Sequence, residues 1–86
     1  MTSTVEPMRI TVLYFAALRE QSGKEQEIRI THAPDVATLY AELAAEYDWD
    51  LPQNRLRAAV NHAFCPWQQP LQTGDTVAFI PPIAGG

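Results

Sequence analysis

The 86-residue sequence contains a single cysteine, Cys65, which rules out an internal disulfide and fits a reducing compartment. Histidine is almost as scarce. His32 and His62 do not stand at metal-ligand spacing from each other or from Cys65, so no zinc-type cluster is legible and no metal is expected. Only six residues are basic against ten acidic, a net charge of −4. That balance argues against nucleic acid, whose phosphates require clustered lysine and arginine. Apolar runs fall well short of the about 20 residues of a membrane span, and no signal-peptide pattern opens the sequence. Neither membrane insertion nor export is expected, and the expected location is cytoplasmic.

What is present is apolar and compact in pattern. Hydrophobic residues make up 47% and charged residues 19%, which suits one globular domain with one core and is too short for two. The acidic surplus would suit a partner with a basic docking surface.

Residues 1–7 are polar, end in Pro7 and show no period, and read as a flexible lead-in to a domain over 8–80. Met8 to Phe15 reads as a strand, with Ile10, Val12 and Tyr14 on one face and Thr11, Leu13 and Phe15 on the other. Ala16 to Gln21 has short-helix composition and stops near Ser22-Gly23. Glu25 to Thr31 alternates polar residues with Ile28 and Ile30, a second strand that pairs with the first. Asp35 stands where an N-cap belongs, before Val36, Leu39, Tyr40, Leu43, Ala44 and Tyr47, which recur at helical spacing as one stripe. The helix ends around Trp49 and Pro52. Arg57 to Asn61 reads as a short strand, with Asn61-His62 turning into Phe64-Cys65. Pro66 and Pro70 keep the following stretch loop-like, Leu71 tucks inward, and Thr73-Gly74-Asp75 turns into a last strand through Ile80.

A mixed sheet wrapped around one helix is the economical way to bury that single stripe. The fold class is therefore α+β, a β-grasp (ubiquitin-like) arrangement, with the last strand central and paired with the first. Parity that sends Val77 and Phe79 into the core sends Ala78 and Ile80 outward beside Leu13 and Phe15. With Phe64 these form a candidate apolar interface for a partner.

No nucleophile–base pair is visible. Cys65 reads as a small core hydrophobe, the histidines as solvated turn residues, and the paired acids Glu25/Glu27 and Asp48/Asp50 as solvated faces. Asp75 reads as a turn residue that bonds backbone. The chain looks like a carrier or binding module rather than an enzyme on its own.

The final residues fit that reading. Pro81 and Pro82 end strand pairing and favour extended backbone, and Ile83, Ala84, Gly85 and Gly86 follow. Residues 81–86 would reach roughly 20 Å at about 3.3 Å per residue. Gly85 and Gly86, lacking Cβ, suit a channel too narrow for other residues. Such a tail presents its terminal carboxylate as the working group.

With Val12-Leu13-Tyr14-Phe15 leading into Ala16-Ala17-Leu18-Arg19-Glu20, with Ala58-Ala59-Val60-Asn61, and with the end Gly74-Asp75 through Pro81-Pro82-Ile83-Ala84-Gly85-Gly86, the sequence resembles the small, sulfur-carrying subunit of molybdopterin synthase. Ala84 stands where Ser or Thr is commoner in that family. The resemblance implies that Gly86 is adenylated by an adenylyltransferase related to ubiquitin activators, which uses ATP. The adenylate would be converted to a thiocarboxylate that donates sulfur to a pterin precursor. It implies no bound cofactor on this chain, insertion of Pro81 to Gly85 into a large subunit that carries the catalytic residues, and a heterotetramer of two small and two large subunits. A sulfur carrier for thiazole, cysteine or tRNA thiolation, or a ubiquitin-like protein modifier, remains open at this point.

Overall fold

In the computed structural model, residues 6–81 are described. Residues 1–5 and 82–86, which hold most of the expected lead-in and tail, lie outside them. The elements run β1 (Met8–Tyr14), α1 (Ala16–Ser22), β2 (Gln26–Thr31), α2 (Val36–Tyr47), a single 3₁₀ turn (Gln53–Arg55), β3 (Arg57–Val60), β4 (Ala63–Cys65) and β5 (Thr76–Ile80). The five strands form one mixed sheet in the order β2-β1-β5-β3-β4. β5 is parallel to β1 and antiparallel to β3, so the last strand is central, as its β-branched and aromatic composition suggests. Among the described residues no helix is long and apolar enough to cross a membrane.

Each helix begins and ends where its sequence directs. The Asp35 carboxylate accepts the backbone N–H of Thr38 at 2.8 Å, and Asp48 closes α2 in the left-handed conformation at φ 58°. The first amides of α2 also find partners outside the helix. Val36 N–H donates to Gln69 C=O and Ala37 N–H to Trp67 C=O, which fastens the loop after β4 across the helix start. Gly23 ends α1 at φ 76°, a backbone that favours glycine.

The core lies between α2 and one face of the sheet. Val36, Leu39, Tyr40 and Leu43 of α2 meet Ile10, Val12, Tyr14, Val77 and Phe79, each buried. Burial of one such aliphatic or aromatic side chain is worth about 1.5–3 kcal/mol. Two tryptophans that sequence periodicity leaves in loops complete this layer. Trp49 is buried with its ring centroid 5.5 Å from Tyr14 and 5.7 Å from Tyr40, and Trp67 stacks on Phe79 at 5.9 Å.

Of the expected solvated pair, Glu25 is exposed but Glu27 of β2 is not. The isoleucines of β2 face out, Ile28 being 55% and Ile30 58% exposed, while Glu27, Arg29 and Thr31 turn toward α2. Glu27 is mostly covered because phenols converge on it. Tyr14 donates to Glu27 Oε1 at 2.7 Å, Tyr47 donates to the same oxygen, and Lys24 Nζ lies 3.5 Å away. Arg29 bonds Glu46 at 2.6 Å, and the Thr31 hydroxyl donates to Glu42 at 2.8 Å. A polar seam thus joins the sheet edge to the helix. Burial alone would raise the Glu27 pKa, but the hydrogen bonds from Tyr14 and Tyr47 and the charges of Lys24 and Arg29 outweigh it and hold the group below its ordinary value.

The β3–β4 hairpin turns through Asn61 and His62, both left-handed at φ 52° and φ 72°. Asn61 is suited to that region and works further. Its Nδ2 donates to Asp75 Oδ1 at 3.0 Å, and its Oδ1 accepts Thr76 N–H at 2.9 Å. Asp75 Oδ2 accepts Gln72 N–H at 2.8 Å, the turn-holding role read from sequence.

Because the folded pKa of Glu27 is depressed, its contribution to stability is full above the unfolded carboxylate value near ~4.3 and is lost as pH falls through the folded value. Glu27→Gln should cost roughly 1–3 kcal/mol at pH 7, and urea unfolding should show the gap from wild type closing below about pH 4. Parallel pH profiles would contradict this assignment. His62→Gly relieves a left-handed non-glycine residue and should raise stability by about 0.5–1 kcal/mol, read as a higher urea midpoint with unchanged slope.

Candidate functional site

Strand alternation builds the opposite face of the sheet. On β5, Val77 and Phe79 enter the core, so Ala78 and Ile80 face away from it. Ala78 stands opposite Leu13 of β1 on one side and Ala59 of β3 on the other, and Ala59 stands opposite Phe64 of β4. The small side chains of Ala59 and Ala78 floor a groove of about 200 Å³ walled by Leu13, Phe15, His62, Phe64 and Ile80. All four residues that the sequence nominated for an interface (Leu13, Phe15, Phe64 and Ile80) therefore meet in one place.

Phe15 and Phe64 are held by different devices. Phe15 lies just beyond β1. It is extended at φ −127°, after which Ala16 turns the chain at φ 50° and the Phe15 carbonyl accepts Leu18 N–H at 3.1 Å. Buried Leu18 anchors that turn, and the Phe15 ring stays 43% exposed. Phe64 is 61% exposed, and the guanidinium of Arg57 lies 4.1 Å from its ring centroid. Sequence reading missed His62 as part of the wall and Arg57 as a cap on Phe64. Both depend on pairing between β3 and β4 that local periodicity does not reveal.

The charge on this face is opposite in sign to that of the chain. Its strand positions include Arg9 and Arg57 and no carboxylate, whereas Glu42 and Glu46 sit on α2 across the sheet. The acidic surplus of the chain as a whole thus does not describe the strand positions of this face.

Cys65 is directed elsewhere. It pairs with Ala58, whose side chain is buried in the core, and burial pushes the thiol pKa up against a backbone hydrogen bond at Val60 that pulls the other way. A protonated, half-covered thiol packed on the core is a poor nucleophile. Pro81 is buried and directly follows Ile80 of the groove wall. Pro82, Ile83, Ala84, Gly85 and Gly86 lie outside the described residues. The groove is thus an apolar concavity whose wall includes Ile80, the residue before Pro81.

Residues 12–86 match the model of the ThiS family. The chain belongs to the ThiS family. Among its relatives, the molybdopterin synthase sulfur carrier subunit of Escherichia coli K12 is 40% identical over 80 residues, covering 90% of this chain and 99% of that protein. The protein of the same name from Mycobacterium tuberculosis H37Rv is 35% identical over 82 residues, covering 92% and 99%. Among solved structures, a chain in the complex of subunits 1 and 2 of molybdopterin-converting factor from Helicobacter pylori superposes with a TM-score of 0.62 at 25% identity, covering 92% of this chain and all of that one. The ubiquitin-like β-grasp architecture of this ThiS-family chain is thus that of its relatives.

Because Phe64 is mostly solvated, Phe64→Asp should leave the domain folded. The loss is confined to the contact with Arg57, an exposed cation–π pair worth about 0.5–1 kcal/mol, so the melting temperature should drop by less than about 8 °C. Loss of the cooperative transition would show that Phe64 belongs to the core.

Proposed function

We propose that this chain is the sulfur-carrying small subunit of a molybdopterin synthase and that it works through the carboxylate of Gly86. The observation that carries this reading is the 40% identity, over 99% of its length, with the Escherichia coli protein named for that role. The likeness to a chain from a two-subunit molybdopterin-converting complex supports a large-subunit partner. The apolar groove beside the tail root gives that partner a surface to grip.

The chemistry follows from the terminal group. A chain-terminal carboxylate has a pKa near ~3.5, so it is ionised at neutral pH and is a poor acyl donor. An adenylyltransferase of the ubiquitin-activator type consumes ATP, which the carrier itself does not hold, and converts the Gly86 carboxylate to an acyl-adenylate with loss of pyrophosphate. The outer sulfur of a persulfide donor then attacks the acyl carbon and displaces AMP, giving an acyl disulfide. A second thiol attacks the donor-side sulfur, so the S–S bond breaks, the two thiols leave joined as a disulfide and Gly86 is left as a thiocarboxylate. The tail, Pro81 to Gly85, reaches into the large subunit with Gly86 at its end, and the sulfur passes to a pterin precursor. Two carriers supply the two sulfurs of a dithiolene, in keeping with an assembly of two small and two large subunits. The carrier is not catalytic alone. Its part in the sulfurtransferase reaction is to deliver one activated atom.

Incubation of the full-length chain with the activating enzyme, ATP and a sulfur donor should replace one oxygen by sulfur, read by intact mass. A chain lacking Gly86 should fold normally and stay uncharged, and Cys65→Ala should charge like wild type. Thiocarboxylate on the truncated chain would overturn the mechanism. With the large subunit, Phe64→Asp should weaken binding at least about a hundredfold, because an unpaired charge in a desolvated contact costs several kcal/mol. Normal binding by the folded variant would remove the groove from the interface.

A further inference from the structure

β2 ends the sheet on one side, and its outer edge has no strand neighbour among the described residues. Tyr14 N–H donates to the opposite Glu25 carbonyl at 2.9 Å, which fixes the phase of the antiparallel β1–β2 ladder. Glu25, Glu27, Arg29 and Thr31 therefore turn their backbone N–H and C=O groups toward β1. Gln26, Ile28 and Ile30 turn theirs to the open edge, and no loop or side-chain hydrogen bond among the described residues reaches them.

Natural edges are usually protected by proline, a bulge, an outward lysine or an inward charge. β2, Gln26-Glu27-Ile28-Arg29-Ile30-Thr31, has no proline and no lysine, and its register with β1 runs from Met8↔Thr31 to Leu13↔Gln26 without a break. Its outward side chains include Ile28 and Ile30, both mostly exposed. Its inward charges, Glu27 and Arg29, are of opposite sign and stand one residue to either side of Ile28.

We infer that β2 is a self-association surface whose partner is β2 of a second copy, paired antiparallel about a twofold axis at Ile28. In this register Ile28 faces the second copy's Ile28 and Gln26 faces its Ile30. These are the residues with free edge groups, so every such pair exchanges both of its hydrogen bonds. Glu27 then faces the second copy's Arg29 in the closely spaced, non-hydrogen-bonded position, where opposite charges help. A slip of two residues sets Glu27 against Glu27 or Arg29 against Arg29, and a slip of one misaligns the free backbone groups. Charge complementarity and hydrogen-bond phase therefore select the same register.

The contact is small and each copy carries a net charge of −4, so the pairing is weak and concentration-dependent. Two strands, β1 and β5, separate it from β3, and it leaves Ala59, Phe64 and Ala78 open, so a paired carrier still presents its groove. The inference does not depend on the function proposed above.

The test uses the full chain in sedimentation equilibrium at about 0.15 M salt, from about 10 μM to about 1 mM. The mass should rise toward twice 9.6 kDa. Amides of Gln26, Ile28 and Ile30 should gain hydrogen-exchange protection over the same range. Ile28→Lys brings two like charges to the axis from an exposed position and should weaken association at least about tenfold, while Phe64→Asp should leave it unchanged. A wild-type chain that stays monomeric throughout overturns the proposal. So does association that survives Ile28→Lys or that is lost in Phe64→Asp. Should Ile28→Lys fail to fold, exchange in the wild-type chain decides, and edge amides that remain unprotected in the associated state overturn the pairing.

Discussion

The two-sided pairing of β5 is the constraint on which the rest of the structure depends. A strand hydrogen-bonded to β1 on one edge and β3 on the other cannot rotate, so its alternation divides the molecule. Val77 and Phe79 close the core, while Ala78 and Ile80 form part of the groove. A slip of one residue would exchange those roles and destroy both surfaces at once. The register is held just upstream, where Asn61 and Asp75 bond each other and the backbone at Gln72 and Thr76. Turn residues with no contact to the groove therefore determine its shape.

The parts legible in the sequence are those governed by local rules. Helical spacing marks the α2 stripe, Asp35 marks its start, and Asn61-His62 marks the hairpin, because caps and turns depend on a few adjacent residues. Alternation also assigns Leu13, Phe15 and Ile80 to one face. Long-range pairing was not legible. Nothing near Glu27 in sequence announces that Tyr47 will donate to it, so a mostly covered acid reads as a solvated one. Trp49 and Trp67 lie in segments without a period, and only the folded loops return them to Tyr40. Arg57 over Phe64 likewise depends on which strands become neighbours. The tail was identified from its composition and its resemblance to a family, and its last residues lie beyond those described.

The distribution of charge shows why a net value is a poor guide to a binding face. The polar seam confines Glu27, Glu42 and Glu46 to the helix side, where Arg29 partly neutralises them. The strand positions of the groove face include Arg9 and Arg57 and no carboxylate. A partner meeting that face encounters apolar surface edged by positive charge, although the protein as a whole is acidic. Long-range attraction acts on the whole and the docked complex on the part, so the two can favour different surfaces on a partner.

The placement of the groove bears on how a carrier of this kind would operate. On the proposed function the same small protein must visit an activating enzyme and then a synthase, with its tail in the active site of each. The tail leaves the domain at Pro81, directly beyond Ile80 in the groove wall. A partner that receives the tail is therefore brought against the groove, and a groove of about 200 Å³ accommodates one such surface at a time. Charging and delivery then exclude each other sterically, and the carrier must dissociate between them. Dissociation on a useful timescale limits how tightly either partner can hold it, because affinity among related complexes is set mostly by the off-rate. A shallow groove with half-exposed walls meets that limit better than a deep pocket, since it contributes orientation while leaving the chemistry to the terminal residue.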